Sequence, residues 1–461
     1  MAKRPQSDSY DLIVIGSGPG GHRAAVQAAK LGKKVLIVEK DEMGGASLHL
    51  GTIPSKTLRE RALAAKYDQS SIADIMERTH KVIDEERSNT EEHFRRNSIE
   101  AVCGLGSFVD KHTVKIENAE GTHLAKAKII LIATGTRPRR PVDLVFDGET
   151  LFDSDSILKL NHQPKTLLIL GAGVIGCEYA SIFARMGVAV TLLDGRADLL
   201  ASIDREIIGA LTRQFEKFGI DLLMSTQFSN IAVKKSPEGR TIATIDITSE
   251  GGYTESKDFD AILYCLGRTG NHEKLNLAAI GVAADNRGSI PVNSDYQTAT
   301  PNVYAVGDII GAPALAASSA EQGRLAMLHA FENEKAEFPD TFPYGIYTIP
   351  EISSVGVQEA ELQAKGIQYV VGKAPYPILA RGKMLEDEFG FLKLLVHKRT
   401  RQIMGVHVIG TSATELVHIG QVAMAFGAKV DFFIDNVFNY PTLAEAYKVA
   451  ALNAESKLNR S

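Results

Sequence analysis

The sequence predicts an α/β protein in which two Rossmann-like dinucleotide-binding domains are followed by a separate C-terminal α+β domain. Three observations predict it. A glycine-rich turn between two apolar strands occurs twice, within Tyr10 to Lys40 and within Thr166 to Asp194. The apolar runs flanking both turns are continuous rather than alternating, as parallel strands covered on both faces require. From about Phe342 the pattern changes to strand-like segments at Gly390 to His397 and Gln402 to Gly410, then helical ones at Glu415 to Ala428 and Leu443 to Ser456, which suits an α+β arrangement.

Each repeated unit runs strand, glycine turn, Ala-rich helix ending near a glycine (Gly32, Gly187), and second strand ending in an acid. In the first, Gly16, Gly18 and Gly21 form the G-x-G-x-x-G pattern and Glu39 closes the second strand; in the second, the corresponding residues are Gly171, Gly173, Gly176 and Asp194. These glycines allow a tight turn and bring backbone N–H groups against a pyrophosphate at a helix N-terminus, while the acid accepts bonds from ribose hydroxyls. Two complete patterns predict two bound dinucleotides.

Between the units, Thr57 to Asn97 is charged and largely free of Gly and Pro, reading as one or two helices, and Ile129 to Gly135 closes a further buried strand. Asp260 to Arg268, the segment DAILYCLGR, reads as another strand, and Val303 to Asp308 marks a return to the first domain. Boundaries are drawn at 1–150 for the first part of the first dinucleotide domain, 151–270 for the second, 271–341 for the return segment and 342–461 for the last domain.

At 461 residues the chain suits about three domains and needs no disulfide staples. Its three cysteines, Cys103, Cys177 and Cys265, are far apart and form no Cys-x-x-Cys or Cys/His cluster, so they read as small buried hydrophobes with no metal site, suited to a reducing cytoplasm. Lys plus Arg number 51 against 56 for Asp plus Glu, a net charge of −5 without strong blocks of either sign, which offers nothing to nucleic acid or an anionic membrane. The N-terminus lacks an apolar core and no run approaches a membrane span, so a soluble, cytoplasmic protein is expected.

Further motifs carry a family resemblance that covers nearly the whole chain. Ala133-Thr134-Gly135 and Tyr304-Ala-Val-Gly-Asp308 resemble the signature turns of the two-dinucleotide-binding flavoproteins, and Gly44 to Lys56 resembles the active-site helix start of the flavin disulfide oxidoreductases. The chain is therefore similar to the glutathione-reductase-type flavoproteins, with a layout like dihydrolipoamide dehydrogenase. Within that group, GTIPSK, GIYTIPEISSVG and FNYPTLAEAYKVAALN most resemble the soluble pyridine nucleotide transhydrogenases.

The resemblance implies FAD in the first fold, with Asp308 on the ribitol and Thr134 and Gly135 in its cradle. It implies NAD or NADP as substrate in the second, and a C-terminal dimerisation domain building a homodimer or larger homo-oligomer. It also implies that Lys56 lies beside the flavin N5 and pairs with Glu178, and that the helix from Ala314 to about Arg324 aims its N-terminus at the flavin. Where the disulfide oxidoreductases have two cysteines, however, this chain has Ser47 and Thr52, and a hydroxyl cannot hold two electrons as a disulfide does. Tyr440 stands where dihydrolipoamide dehydrogenases carry a histidine base, and a phenol with an ordinary pKa of about 10 is a poor base at neutral pH. Hydride transfer between nicotinamides needs neither group.

The expected activity is thus FAD-dependent hydride transfer between NADPH and NAD+, ping-pong through one nicotinamide site. The alternatives are an NAD(P)H diaphorase or oxidase using quinone, dye or oxygen, and a redox-silent flavin-binding structural protein. Asp194 suits a ribose 2′-hydroxyl, whereas Arg196 is the candidate for a 2′-phosphate. His49 reads as a locally packed side chain with a flavin-edge role as its alternative, and Tyr440 as an interface residue.

Overall fold

Apolar runs too continuous for a half-wetted sheet become strands buried on both faces, as in Val35–Glu39, where every residue is buried. The computed structural model describes residues 4–68, 72–235, 239–335 and 337–459. Its first sheet has seven strands. Glu100–Cys103, Val35–Glu39, Ser9–Ile15 and Gly121–Ile132 pair in parallel, and Val303–Ala305 joins the C-terminal half of Gly121–Ile132, with Val303 opposite Ile130. The other half of that long strand turns antiparallel to Thr113–Asn118, which pairs in turn with Leu105–Asp110. The second sheet has five parallel strands in the order Asp221–Leu223, Ala189–Leu193, Thr166–Leu170, Ala261–Tyr264, Leu151–Asp153.

A three-stranded antiparallel sheet, Gln227–Lys235, Thr241–Thr248 and Thr254–Phe259, is inserted before Ala261–Tyr264. A short ribbon of Thr136–Pro138 against Arg268–Gly270 links the two dinucleotide folds. The expected helical stretch after residue 57 is two helices, Thr52–Asp68 and Ile72–Arg96. The helix expected from Ala314 to about Arg324 runs Ala316–Glu332, longer than read: Gly323 lies within it as a packing position, where an added Cβ would sit 2.2 Å from Gly20 O, and the helix ends where Asn333 takes a left-handed conformation.

The C-terminal segment forms a five-stranded antiparallel sheet, Tyr344–Ile346, Ile352–Gly356, Ile403–Ile409, Phe391–His397 and Tyr369–Pro375, backed by the helix Glu445–Leu458. Tyr447 is fully buried there, its hydroxyl donating to Leu416 O at 2.7 Å and accepting from Gly420 N at 3.0 Å, so the polar end of the ring is satisfied.

The second dinucleotide fold is fastened to this sheet by buried charge. Asp204 caps the helix Arg205–Lys217, accepting from Glu206 N and Ile207 N. Its other oxygen takes Lys393 Nζ at 2.7 Å, and Lys393, with a side chain 0% exposed, also meets Glu206 at 2.9 Å and Glu359. Burial opposes charge on Lys393, yet hydrogen bonds from its ammonium to Asp204, Glu359 and Glu206 outweigh that and push its pKa up.

Candidate active site

The two glycine turns are built to one plan. Gly16 and Gly171 have φ of 104° and 107°, values that side chains with a Cβ rarely adopt. A Cβ on Gly21 or Gly176 would lie 2.0 or 1.8 Å from the carbonyl oxygen of the first glycine, so each turn packs against its own helix. At Gly18 and Gly173 a Cβ would meet nothing within 4 Å, and these open faces lie at the N-caps of helices Pro19–Lys30 and Val174–Arg185. Backbone N–H groups at such a terminus, beside open space, fit a pyrophosphate.

Each turn is held by the acid closing its second strand. Glu39 Oε2 accepts from Ser17 N and Ser17 Oγ, both at 2.8 Å, and Ser17 Oγ accepts from Gly44 N at 2.9 Å. Asp194 Oδ2 accepts from Ala172 N at 2.7 Å. Asp194 also receives Arg196 N at 2.8 Å and the Arg196 guanidinium at 2.6 and 3.0 Å. Burial would raise the Asp194 pKa, but bonds from Arg196 and Ala172 outweigh it and hold the carboxyl below its ordinary value. The pair is asymmetric in exposure, with the Arg196 side chain 51% and the Asp194 side chain 5% accessible, so the guanidinium faces outward.

Around the first turn, Ala133 N donates to Ile15 O at 2.8 Å, which sets Thr134 and Gly135 at the end of the neighbouring strand. Gly135 has φ of 62°, and Thr134 Oγ1 is buried without a hydrogen-bond partner. An orphaned buried hydroxyl is costly and marks a place where a ligand atom belongs. Asp308 sits in the short turn Gly307–Ile310 and accepts from Thr136 Oγ1 at 3.2 Å. A cavity whose lining includes Ser17, Pro19, His22, Gly44, Ser47 and His93 runs along the first helix from its N-terminal end toward the helix Ile72–Arg96.

The structure brings Lys56 and Glu178 together from separate domains. Lys56 Nζ donates to both Glu178 oxygens, at 3.0 and 2.8 Å, and the side chains are 25% and 6% exposed. A third residue completes the group. Tyr347 N donates to Glu178 Oε1 at 2.8 Å, and the Tyr347 ring centroid lies 4.8 Å from Lys56 Nζ, within cation–π reach. Tyr347 lies in the segment GIYTIPEISSVG but had no part in the site expected from sequence; its signal was that the segment resembles the family while lying outside both dinucleotide patterns.

Ser47 lies on the short helix Gly45–His49 and Thr52 opens the next one, the expected single helix start being broken at Leu50 and Gly51. His49 Nε2 lies 2.8 Å from Met43 O, so its ring is engaged locally. Tyr440 is exposed in the single chain. Of the cysteines only Cys177 is buried. Cys103 is half-exposed because it ends the edge strand of the first sheet, and Cys265 because it follows Ala261–Tyr264 where that strand leaves its sheet. Among the described residues no group of three or more His, Cys, Asp or Glu side chains is placed to hold a metal ion, and no helix is long and apolar enough to cross a membrane.

The pyridine nucleotide-disulphide oxidoreductase family matches residues 10–323, and its dimerisation domain matches residues 342–451. The chain belongs to this family. Within it, a protein of Mycobacterium bovis (strain BCG / Pasteur 1173P2) named soluble pyridine nucleotide transhydrogenase is 44% identical, covering 97% of this chain and 98% of its own. One of the same name from Yersinia pestis (strain Pestoides F) is 42% identical with the same coverage. Among solved structures of the family's fold, LpdA from Mycobacterium tuberculosis has a TM-score of 0.88 at 26% identity, covering 96% of this chain and 99% of its own. The HOCl-induced flavoprotein disulfide reductase RclA from Escherichia coli also reaches 0.88, at 25% identity and the same coverage.

Proposed function

We propose that the chain is an FAD-dependent soluble pyridine nucleotide transhydrogenase that moves hydride from NADPH to NAD+. The observation that carries this reading is the pairing of half-buried Lys56 with buried Glu178 beside a segment holding Ser47 and Thr52 in place of redox cysteines. Machinery for handling hydride is kept while the means of passing electrons to a dithiol is gone. When bound, FAD supplies a two-electron carrier between one nicotinamide and the next.

Gly16, Gly18 and Gly21 hold the FAD pyrophosphate in this reading, Glu39 its ribose, and Thr134, Gly135 and Asp308 its remaining polar atoms; the open face at Gly18 and the orphaned Thr134 hydroxyl support this fit. Gly171, Gly173 and Gly176 hold the nicotinamide nucleotide, Asp194 its ribose, and Arg196 the 2′-phosphate of NADP. Lys56, oriented by Glu178, presents fixed positive charge where negative charge develops as hydride arrives.

Only the second glycine pattern is left for nicotinamide nucleotides, so NADPH and NAD+ use it in turn and the kinetics are ping-pong. The domain division 1–150 and 271–341 for FAD, 151–270 for the nucleotide and 342–461 for dimerisation is supported by the strand membership of the three main sheets. We place the enzyme in the cytoplasm, where both nucleotides are available and free thiols persist. The test is anaerobic oxidation of NADPH with thio-NAD+ as acceptor, at several concentrations of each. Parallel double-reciprocal lines are expected. Reduction of oxygen or dyes without thio-NAD+ turnover would instead assign an oxidase or diaphorase, and no turnover with any acceptor would leave a redox-silent flavoprotein.

A further inference from the structure

A more deeply buried cation lies one turn beyond Lys56 on the same helix. Arg59 is 4% exposed, its Nη2 lies 3.1 Å from Glu351 Oε1, and its Nε donates to Thr348 O at 3.1 Å. Glu351 is itself anchored on its far side, where Oε2 accepts from Thr414 N at 3.0 Å and Thr414 Oγ1 at 2.6 Å at the start of the helix Ala413–Ala425. Arg59 thus clamps the segment Tyr347 to Glu351 between the Lys56 helix and the C-terminal domain.

That segment is the one that organises the Lys56–Glu178 pair. Tyr347 N donates to Glu178, the Tyr347 ring flanks Lys56, and Ile349 N donates to Ser181 Oγ at 3.0 Å, on the same helix as Glu178. A guanidinium suits the task because it is permanently charged and its fork can bind a carbonyl and a carboxylate at once, which an ammonium does with less directional control.

We infer that Arg59 is a positioning residue for hydride transfer, fixing the orientation of Lys56 and Glu178 through the clamped segment Tyr347 to Glu351. The inference rests on the reading of Lys56 as the charge beside the flavin. It predicts that Arg59 acts only through Lys56, which a general loss of stability would not do.

The experiment is anaerobic stopped-flow reduction of the holoenzyme by NADPH in the wild type, Lys56→Ala, Arg59→Met and the double variant, with Arg59→Lys as the conservative change. Expected are a reduction rate at least tenfold lower in each single variant, nucleotide Kd within threefold of wild type, a double variant no slower than Lys56→Ala, and partial rescue in Arg59→Lys. A wild-type rate in Arg59→Met, or effects that multiply in the double variant, overturns the inference while leaving Lys56 in place. A wild-type rate in Lys56→Ala removes the Lys56 reading and the Arg59 role with it. Hydrogen exchange gives a readout apart from activity: the Tyr347 and Ile349 amides should exchange at least tenfold faster in Arg59→Met, and unchanged protection overturns the clamp. Should Arg59→Met fail to fold because Glu351 loses its countercharge, Arg59→Met combined with Glu351→Met removes both charges and takes its place in the same four-way comparison.

Discussion

Lys56 is held by two bonds to a carboxylate that is nearly inaccessible, so its position is fixed before any nucleotide arrives. Removing an oriented charge from a dry site costs on the order of 10²-fold in rate, and Lys56→Ala is expected to slow flavin reduction by about that factor while nucleotide binding changes little; stopped-flow reduction across NADPH concentrations separates the two. Ser47 and Thr52 lead to a second expectation. Lipoamide and glutathione disulfide reductase activities should be absent, because no thiolate is available at these positions to form a mixed disulfide, and turnover with lipoamide matching nicotinamide exchange would contradict it. Arg196 is half-exposed, and its guanidinium, bonded to Asp194 at 2.6 and 3.0 Å, would exchange that pairing for a phosphate in the proposed NADPH complex. Charge-assisted hydrogen bonds contribute roughly 1.5–3 kcal/mol, so Arg196→Ala should raise the Kd for NADPH at least tenfold relative to NADH. Asp194→Ala should shift preference the other way, since it removes the proposed ribose acceptor and the carboxylate that holds the guanidinium. Direct binding titrations of both nucleotides decide it.

The strand Phe391–His397 and the helix Arg205–Lys217 meet through Lys393, Asp204 and Glu206, and that junction is acid-sensitive in a defined direction. Burial pushes both carboxyls up, but bonds from the lysines push harder, leaving the pKa of Asp204 and of Glu206 below the usual range. Groups with a lowered folded pKa contribute fully above their unfolded values, near pH 4, and lose that contribution as the pH falls through the folded ones. His407, kept neutral by burial, acts in the same sense from about pH 6.5 downward, because the unfolded chain binds the proton more readily. Thermal stability should therefore drop between pH 6.5 and pH 3. Lys393→Met should lower it by about 3–5 kcal/mol at neutral pH and flatten the acid-dependent part; parallel pH curves for the two proteins would show that the junction is not its source. No part of this cluster was legible in the sequence. The glycine turns were, because their residues are close in the chain and follow a fixed pattern, and Lys56 and Glu178 were legible through motifs on which the family resemblance rests. Lys393 with Asp204, or Arg59 with Glu351, are single charges far apart in sequence, and no periodicity marks which of many such residues will meet. The antiparallel strands between Leu105 and Asn118, and those of Gln227 to Phe259, were missed for a related reason: their half-exposed, mixed composition lacks the continuous apolar run that revealed the parallel strands.

Across the whole molecule, exposed apolar side chains such as Val142, Val145 and Tyr253 are scattered, but Phe426, Phe432, Val437 and Tyr440 follow one another within the dimerisation domain, just after the helix Ala413–Ala425. Their exposure in the single chain suits burial against a second copy. Phe426→Glu should leave the fold of the subunit intact and shift the protein from dimer toward monomer, because a buried unpaired carboxylate at an interface is strongly unfavourable; sedimentation velocity of the variant against wild type measures it, and an unchanged dimer would exclude Phe426 from the contact. The bonds that Glu39 accepts from Ser17, and the one that Asp194 accepts from Ala172, bear on turnover in another way. Each phosphate turn is braced by its own chain, so its shape does not depend on a nucleotide being present, and little ordering remains to be done on binding. In the proposed ping-pong cycle the seat at Gly171 to Gly176 gains from this: the departing nucleotide leaves no collapsed loop behind, and the next one finds the mould still open.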